Sequence, residues 1–376
     1  MNGKTVVVGM SGGVDSSVSA YLLKQQGYNV IGLFMKNWES DDTDEYCSAE
    51  QDYNDVKRVC EVIGIPYYSI NFSKQYMDNV FAQFLDGLGK GYTPNPDILC
   101  NREIKFGPFL EYAKKIGADY IATGHYCRVK KVKTDNKKTE THLLKGIDPV
   151  KDQSYFLCGL GQEQLDRVIF PIGHLQKSQV RKIAQEQNLV TAQKKDSTGI
   201  CFIGERKIRD FLKTYFGNQT GEIKTLDNKI IGKHNGLMYY TIGQRKGLGI
   251  GGLAGFDENK WFVVRKCLKS NTLFVNNGEC DELFTDNLVA TNFNWIGTPE
   301  WKSPEFECYA KTRYRQPDQK CRVYSKSSNK VYPENINVEF TMPQRAITPG
   351  QWVVLYDEDR CLGGGIIVDK NNNKGG

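Results

Sequence analysis

Three features of the sequence predict an α/β chain with an N-terminal parallel-sheet domain, a small central linking domain and a C-terminal antiparallel β-barrel. Over roughly the first 200 residues, short β-branched runs alternate with longer helical patterns. Near residue 220 the chain turns Gly-rich, and beyond Lys260 short strands recur at even spacing. The expected divisions are 1–215, 216–260 and 261–370, with a frayed tail at 371–376.

In chain order, Thr5 to Val8 is the first strand, followed by a helix from Ser16 to Gly27. Asn29 to Met35 then precedes a helix from Glu50 to Gly64, and Tyr67 to Ile70 precedes one from Tyr76 to Gly87. A helix from Phe106 to Gly117 leads into Tyr120 to Thr123. Strands that read as continuous apolar runs between helices belong to βαβ units whose sheet is covered on both faces. Helices Lys177 to Asn188 and Glu205 to Tyr215 close this domain. The linking module carries Gly243-Gln244-Arg245-Lys246-Gly247-Leu248-Gly249, and the barrel is read from eight short strands between Trp261 and Val368. No internal repeat is visible.

Composition narrows the function classes. Hydrophobic residues make up 39% and charged residues 25% of 376 residues, the balance of a folded globular chain. No run approaches the ~20 apolar residues that cross a bilayer, and the N-terminus has no signal-peptide pattern, so a cytoplasmic protein with no membrane partner is expected. The eleven cysteines include no CxxC pair, which speaks against a zinc ribbon or standard cluster motif and for reduced thiols, most of them in the core. No metal site is assigned, and the spacing of His125 and His174 suggests none.

Fifty Lys and Arg against 44 Asp and Glu give a net charge of +6. The stretch from Cys308 to Lys330 supplies that entire excess, with Tyr309, Tyr314 and Tyr324 interleaved. Cations between rings suit a surface that meets phosphates and bases, while a solvated basic strand pair is the plain alternative.

The strongest local signal is Ser11-Gly12-Gly13-Val14-Asp15-Ser16-Ser17, between the first strand and the first helix. Glycines let backbone approach an anion, and a helix N-terminus offers amide donors and positive potential. The loop is neither GxxxxGK[ST] nor GxGxxG. Ser16 as a simple helix cap is the structural alternative.

These residues resemble the PP-loop ATP pyrophosphatase superfamily, with its adenine nucleotide α-hydrolase-like fold, whose loop binds the pyrophosphate end of ATP. The resemblance implies ATP as co-substrate with magnesium, and a site lined by Gly9, Met10, Ser11, Gly12, Gly13, Val14, Asp15 and Ser16. Asp15 would face the metal, Met35 adenine, and Gly124 the end of a later strand.

A narrower resemblance, to the tRNA-specific 2-thiouridylase family, covers nearly the whole chain. It is carried by Thr93 to Asn101, Gly124-His125-Tyr126, Lys151 to Tyr155, Asp196 to Gly204, Thr241 to Leu248 and Lys311 to Arg315. It implies ATP-dependent 2-thiolation of a wobble uridine in the anticodon loop of tRNA, with release of AMP and pyrophosphate. The sulfur would come from a persulfide-carrying relay protein, and the chain would act as a monomer.

In this resemblance Cys201 carries the persulfide, and Cys100 resolves it to leave a disulfide for later reduction. Asn95, Pro96 and Asp97 meet the target base, and Lys151, Asp152, Gln153, Arg313 and Tyr314 contact tRNA. Asp97 reads equally as general acid or base and as a helix cap. An iron–sulfur cluster held by Cys100, Cys201 and Asp97 stays open. Two rivals remain: an adenylating enzyme with a small-molecule substrate, and a non-catalytic RNA-binding protein.

Overall fold

A computed structural model describes residues 3–38, 48–134, 138–196, 208–251, 255–298, 305–325 and 333–368. Cys201, Lys326 and Lys330 lie outside the described residues, as does the expected tail.

The N-terminal unit contributes β1 (Thr5–Met10), β2 (Asn29–Lys36), β3 (Tyr67–Asn71), β4 (Tyr120–Ala122), a hairpin of β5 (Cys127–Lys133) and β6 (Thr139–Lys145), and β7 (Val168–Ile169). Strands β3-β2-β1-β4-β7 form one parallel sheet in that order. Val6, Val7 and Val8 of β1 are fully buried, as the apolar run predicts for a central strand.

Successive side chains point to opposite faces. Val7, Leu33 and Met35 therefore pack with Cys100, Ile104 and Phe109 on one face, while Val6, Val8 and Phe34 pack with the helix Val14–Gln25 side on the other. After β3 the chain crosses to the far side of β1. This reversal places a ligand crevice at the carboxyl ends of β1 and β4.

The helix expected from Tyr76 to Gly87 is three pieces: Ser73–Tyr76, a π turn Met77–Phe81, and Ala82–Gly89. A second π turn, Asn101–Lys105, follows the short helix Pro96–Cys100.

The central unit has a four-stranded sheet. It joins β8 (Gly221–Thr225) and β9 (Ile230–His234) to β10 (Trp261–Cys267) and β11 (Thr272–Asn277), in the order β10-β11-β8-β9. The boundary expected at 260/261 cuts through this sheet and is corrected: the strands from Trp261 to Asn277 belong with residues from 221 onward. Even spacing reveals that strands exist but not which sheet they join. Here β11 pairs in parallel with β8, and Ile223, Val263, Leu273 and Val275 share one core.

The C-terminal barrel comprises β12 (Phe284–Trp295), β13 (Glu305–Lys311), β14 (Gln319–Tyr324), β15 (Ile336–Arg345), β16 (Trp352–Asp357) and β17 (Arg360–Val368). The order is β12-β15-β14-β13-β16-β17, closed by pairing of β12 with β17. Hairpin β5–β6 then adds to β17 through Arg360 opposite Leu144 and Cys361 opposite Leu143, so N-terminal and barrel units share a continuous hydrogen-bonded sheet.

Candidate active site

The loop after β1 is shaped by its glycines. Gly12 has φ +72°, and a Cβ there would lie 2.7 Å from the Asp52 carbonyl oxygen. The Ser11 N–H donates to Ser16 Oγ at 3.2 Å, and Ser16 Oγ–H donates to the Gly13 carbonyl at 3.1 Å. Ser16 thus braces the loop from inside the first turn, and the cap position falls to Gly13, which has no side chain to fill it. The amides at this helix start face the crevice uncapped, an arrangement that accepts an anion. Gly124 closes the other side: a Cβ there would sit 2.7 Å from the Ser16 nitrogen, so the two loops touch. Gly9 and Met35 also adjoin, the Met35 methyl lying 3.2 Å from where a Gly9 Cβ would stand.

Beside this loop lies an ion cluster. The Asp15 carboxylate accepts from Tyr126 Oη at 2.7 Å and from Lys177 Nζ at 2.8 Å on each oxygen. Lys177 also reaches Asp196 at 2.7 Å, and Asp196 is further held by Lys151 at 2.6 Å and Arg181 at 2.9 Å. Burial alone would raise the Asp196 carboxyl, but hydrogen bonds from Lys151 and Lys177 outweigh it and hold the group down at about 2. Both Asp15 oxygens are occupied by the ammonium. Among the described residues no group of three His, Cys, Asp or Glu could hold a metal ion. The donor set does not fit a resident divalent cation.

No sequence motif marks Lys177 or Arg181 as a site residue, and none gives Asp196 a role. The available signal was two cations four apart on one face of the helix Lys177–Glu186.

The segment expected to meet the target base forms a short helix. Asn95 Oδ1 accepts from the amides of Asp97 at 3.1 Å and Ile98 at 3.3 Å, and Pro96 takes the first helical position. The cap is therefore Asn95, and Asp97 stands half-buried in the first turn. Cys100 ends this helix at 0% exposure. Burial pushes its thiol up to about 12, with Asp97 adding to the shift and Lys105 opposing it. The loop before Asn95 is gripped from two sides: Thr93 N–H donates to the Pro349 carbonyl of the barrel at 2.9 Å, and Thr93 Oγ1 meets Thr241 Oγ1 of the central unit at 3.3 Å.

The residues expected to contact tRNA have internal partners. Lys151 pairs with Asp196, as above. Asp152 is 7% exposed; its carboxylate accepts from Gly146 N–H, Ser154 N–H and Ser154 Oγ, and lies 3.7 Å from Lys311 of β13. Gln153 Oε1 accepts from Tyr126 N–H at 3.0 Å.

Arg313 and Tyr314 occupy the turn between β13 and β14. Arg313 Nη2 donates to the Ala346 carbonyl, and Tyr314 packs on Phe156 with ring centroids 4.4 Å apart. Arg315 is exposed over the Tyr314 ring at 5.2 Å. Further along the basic stretch the charges are matched across strands: Lys320 with Glu307, and Arg322 with Glu305 and Glu339. His125 is buried with Nδ1 2.8 Å from Thr123 Oγ1, and burial drives it well below its usual range.

Comparison with known proteins covers all three units. Residues 4–205 match a family model described as a tRNA methyl transferase HUP domain, 209–277 a tRNA methyl transferase PRC-barrel domain, and 285–367 an aminomethyltransferase beta-barrel domain. A tRNA-specific 2-thiouridylase of Staphylococcus epidermidis is 55% identical over 372 residues, covering 98% of this chain and 96% of the relative. One from Oceanobacillus iheyensis is 57% identical over 374 residues with the same coverage. Among solved structures, a 4-thiouridine synthetase–RNA complex with bound ATP gives a TM-score of 0.33 at 15% identity, covering 56% of this chain and 50% of the other. With the whole length matched at more than half identity, the chain belongs to the tRNA-specific 2-thiouridylase family.

Proposed function

We propose that this chain replaces the 2-carbonyl oxygen of the wobble uridine in tRNA by sulfur, using ATP and a cysteine persulfide. The observation that carries the reading is the placement of a glycine-built anion cradle at the end of β1, with the Asn95–Cys100 helix packed on one face of the same β1–β2 sheet.

The chemistry requires both parts. The uracil O2 attacks the α-phosphorus of ATP, the bond to the bridging oxygen breaks, and pyrophosphate leaves the cradle formed by residues 9–16 and Gly124. Adenine lies against Met35, and Asp97 moves the proton at the base. Magnesium would come in with the phosphates of ATP. The outer sulfur of a Cys201 persulfide, loaded by a persulfide-carrying relay protein, attacks C2 and AMP departs with the oxygen. The Cys100 thiolate then attacks Cys201 Sγ; the S–S bond breaks, 2-thiouridine leaves, and a Cys100–Cys201 disulfide awaits two electrons from a cytoplasmic thiol reductant. Cys201 follows Asp196 of the ion cluster by five positions, a reach of at most about 18 Å of extended chain. Lys151, Asp152, Gln153, Arg313 and Tyr314 place the anticodon loop, Lys151 from the ion cluster, Asp152 and Gln153 by fixing backbone, and the last two at the barrel turn.

Unmodified tRNA, ATP and a persulfide donor are expected to give 2-thiouridine at the wobble position with equal AMP and pyrophosphate, and none with Cys201→Ala. Full activity in Cys201→Ala defeats the reading. So does ATP–pyrophosphate exchange that ignores RNA, or a nucleoside that has gained a methyl group instead of sulfur.

A further inference from the structure

We propose that the side chain of Asn37 reads a nucleobase edge in the ligand crevice, as a recognition residue additional to those named above. The identity of the ligands rests on the function proposed above; the assignment of the residue rests on its own geometry.

Asn37 directly follows β2, at the carboxyl end of the strand that pairs with β1 and its loop. Ligands of open α/β sheets collect at that edge. The residue is 1% exposed, yet neither its Oδ1 nor its Nδ2 has a hydrogen-bond partner among the described residues. Native proteins hold few such groups, because a buried amide left unpaired loses its water contacts with nothing in return.

Its neighbours leave little room for local rescue. The Lys36 carbonyl accepts from Phe72 N–H at 2.8 Å, and the Trp38 ring is fixed against Tyr76, Phe81 and Phe211. The chain is pinned on both sides of the unpaired amide. Met35 and Trp38, two residues before it and one after, both pack against the cluster that holds Cys100, Ile104 and Phe109.

The chemistry of the missing partner follows from the donor set. An asparagine amide offers an acceptor and two donors side by side. A cation or a phosphate would engage one end and leave the other orphaned. A base edge engages both, because adenine sets an amino group beside a ring nitrogen and uracil sets N3–H beside a carbonyl. ATP and the target uridine both present such an edge.

The test uses the full chain with Asn37→Leu, which removes both polar ends at similar volume, and Asn37→Asp, which keeps only acceptors; Asn37→Ala substitutes should the leucine variant fail to fold. Affinity for ATP is measured without RNA, and kcat/KM for tRNA at saturating ATP. The leucine variant is expected to keep or raise the Tm of the ligand-free protein while one of the two quantities falls at least about tenfold, the loss of one good bidentate pair. Loss of ATP affinity assigns the amide to adenine; loss of kcat/KM for tRNA with ATP affinity intact assigns it to uracil. Both quantities within twofold of wild type in the folded variants overturn the proposal. A wild-type chain that binds ATP but thiolates nothing would instead overturn the function proposed above, and the ATP measurement would still judge Asn37.

Discussion

A cysteine attacks as a thiolate, and Cys100 in this structure is held as a thiol by burial and by the neighbouring Asp97 carboxylate. It becomes nucleophilic only when that cover opens or a cation approaches, which would reserve it for the substrate-bound enzyme. Cys267 is the contrast: it is partly exposed, and hydrogen bonding from Ser270 lowers its thiol. Iodoacetamide at about pH 8 is expected to modify Cys267 well before Cys100, as read by peptide mass mapping after timed quenching; equal rates would mean that Cys100 is already open. Asp196 makes a second prediction at this scale. Its carboxyl is held at about 2 in the folded chain, against ~3.9 when unfolded. A depressed carboxyl stabilises fully above the unfolded value, and that contribution drains away as pH falls through the folded one. Asp196→Asn should therefore lower the denaturation midpoint at neutral pH, with the gap to wild type closing between about pH 4 and 2. A gap that does not vary with pH would show that the ion cluster contributes nothing through charge.

At the scale of elements, the helix that ends in Cys100 is only Pro96–Cys100, so its start weighs heavily. Asn95→Ala removes both side-chain bonds to its first amides and is expected to cost ~1 kcal/mol, while Asn95→Asp keeps most of it. Thermal melts of the two variants check this; equal losses would deny the cap. Gly12→Ala faces a left-handed backbone and the Asp52 carbonyl together, so ATP affinity should fall sharply while the sheet stays folded, as judged by nucleotide titration beside circular dichroism. The main sheet was legible because β1 is a valine run buried on both faces, and the loop because two glycines precede a helix. Other elements were not. Hairpin β5–β6 hides behind Lys130, Lys131 and Lys133, which break any apolar run. Strands β10 and β11 read as part of the barrel because β8, the strand that joins β11 to the central sheet, lies 50 residues before it in register. The Asp15–Lys177 contact spans 162 residues and leaves no local period. Asn95 as the cap could have been read, because Pro96 favours the first helical position and so marks the residue before it.

Across the whole molecule, the three units converge on the loop before Asn95, and the barrel is tied to the α/β unit by β6–β17 pairing and by Lys311 near Asp152. The barrel turn that carries Arg313, Tyr314 and Arg315 is thereby held in register with the Pro96–Cys100 helix. Sequence counting placed the entire net charge in the stretch around that turn, but folding redistributes it. Lys320 and Arg322 are matched by Glu307, Glu305 and Glu339 on adjacent strands, so they project little field, whereas Arg315 stands exposed beside Tyr314. Each phosphate neutralised by a protein cation releases condensed counterions, giving a slope of roughly −0.7 to −0.9 in log K against log salt per contact. Arg313→Ala and Arg315→Ala are each expected to reduce the magnitude of that slope for tRNA binding by nearly one, with a lowered Tm only in Arg313→Ala, whose guanidinium also holds the Ala346 carbonyl. Arg322→Ala should leave the slope unchanged. Filter binding across a salt series, with circular dichroism melts of the same proteins, reads all three. An equal slope change in Arg322→Ala would mean that bulk charge, and not the paired or unpaired state of each cation in the fold, governs how this chain meets RNA.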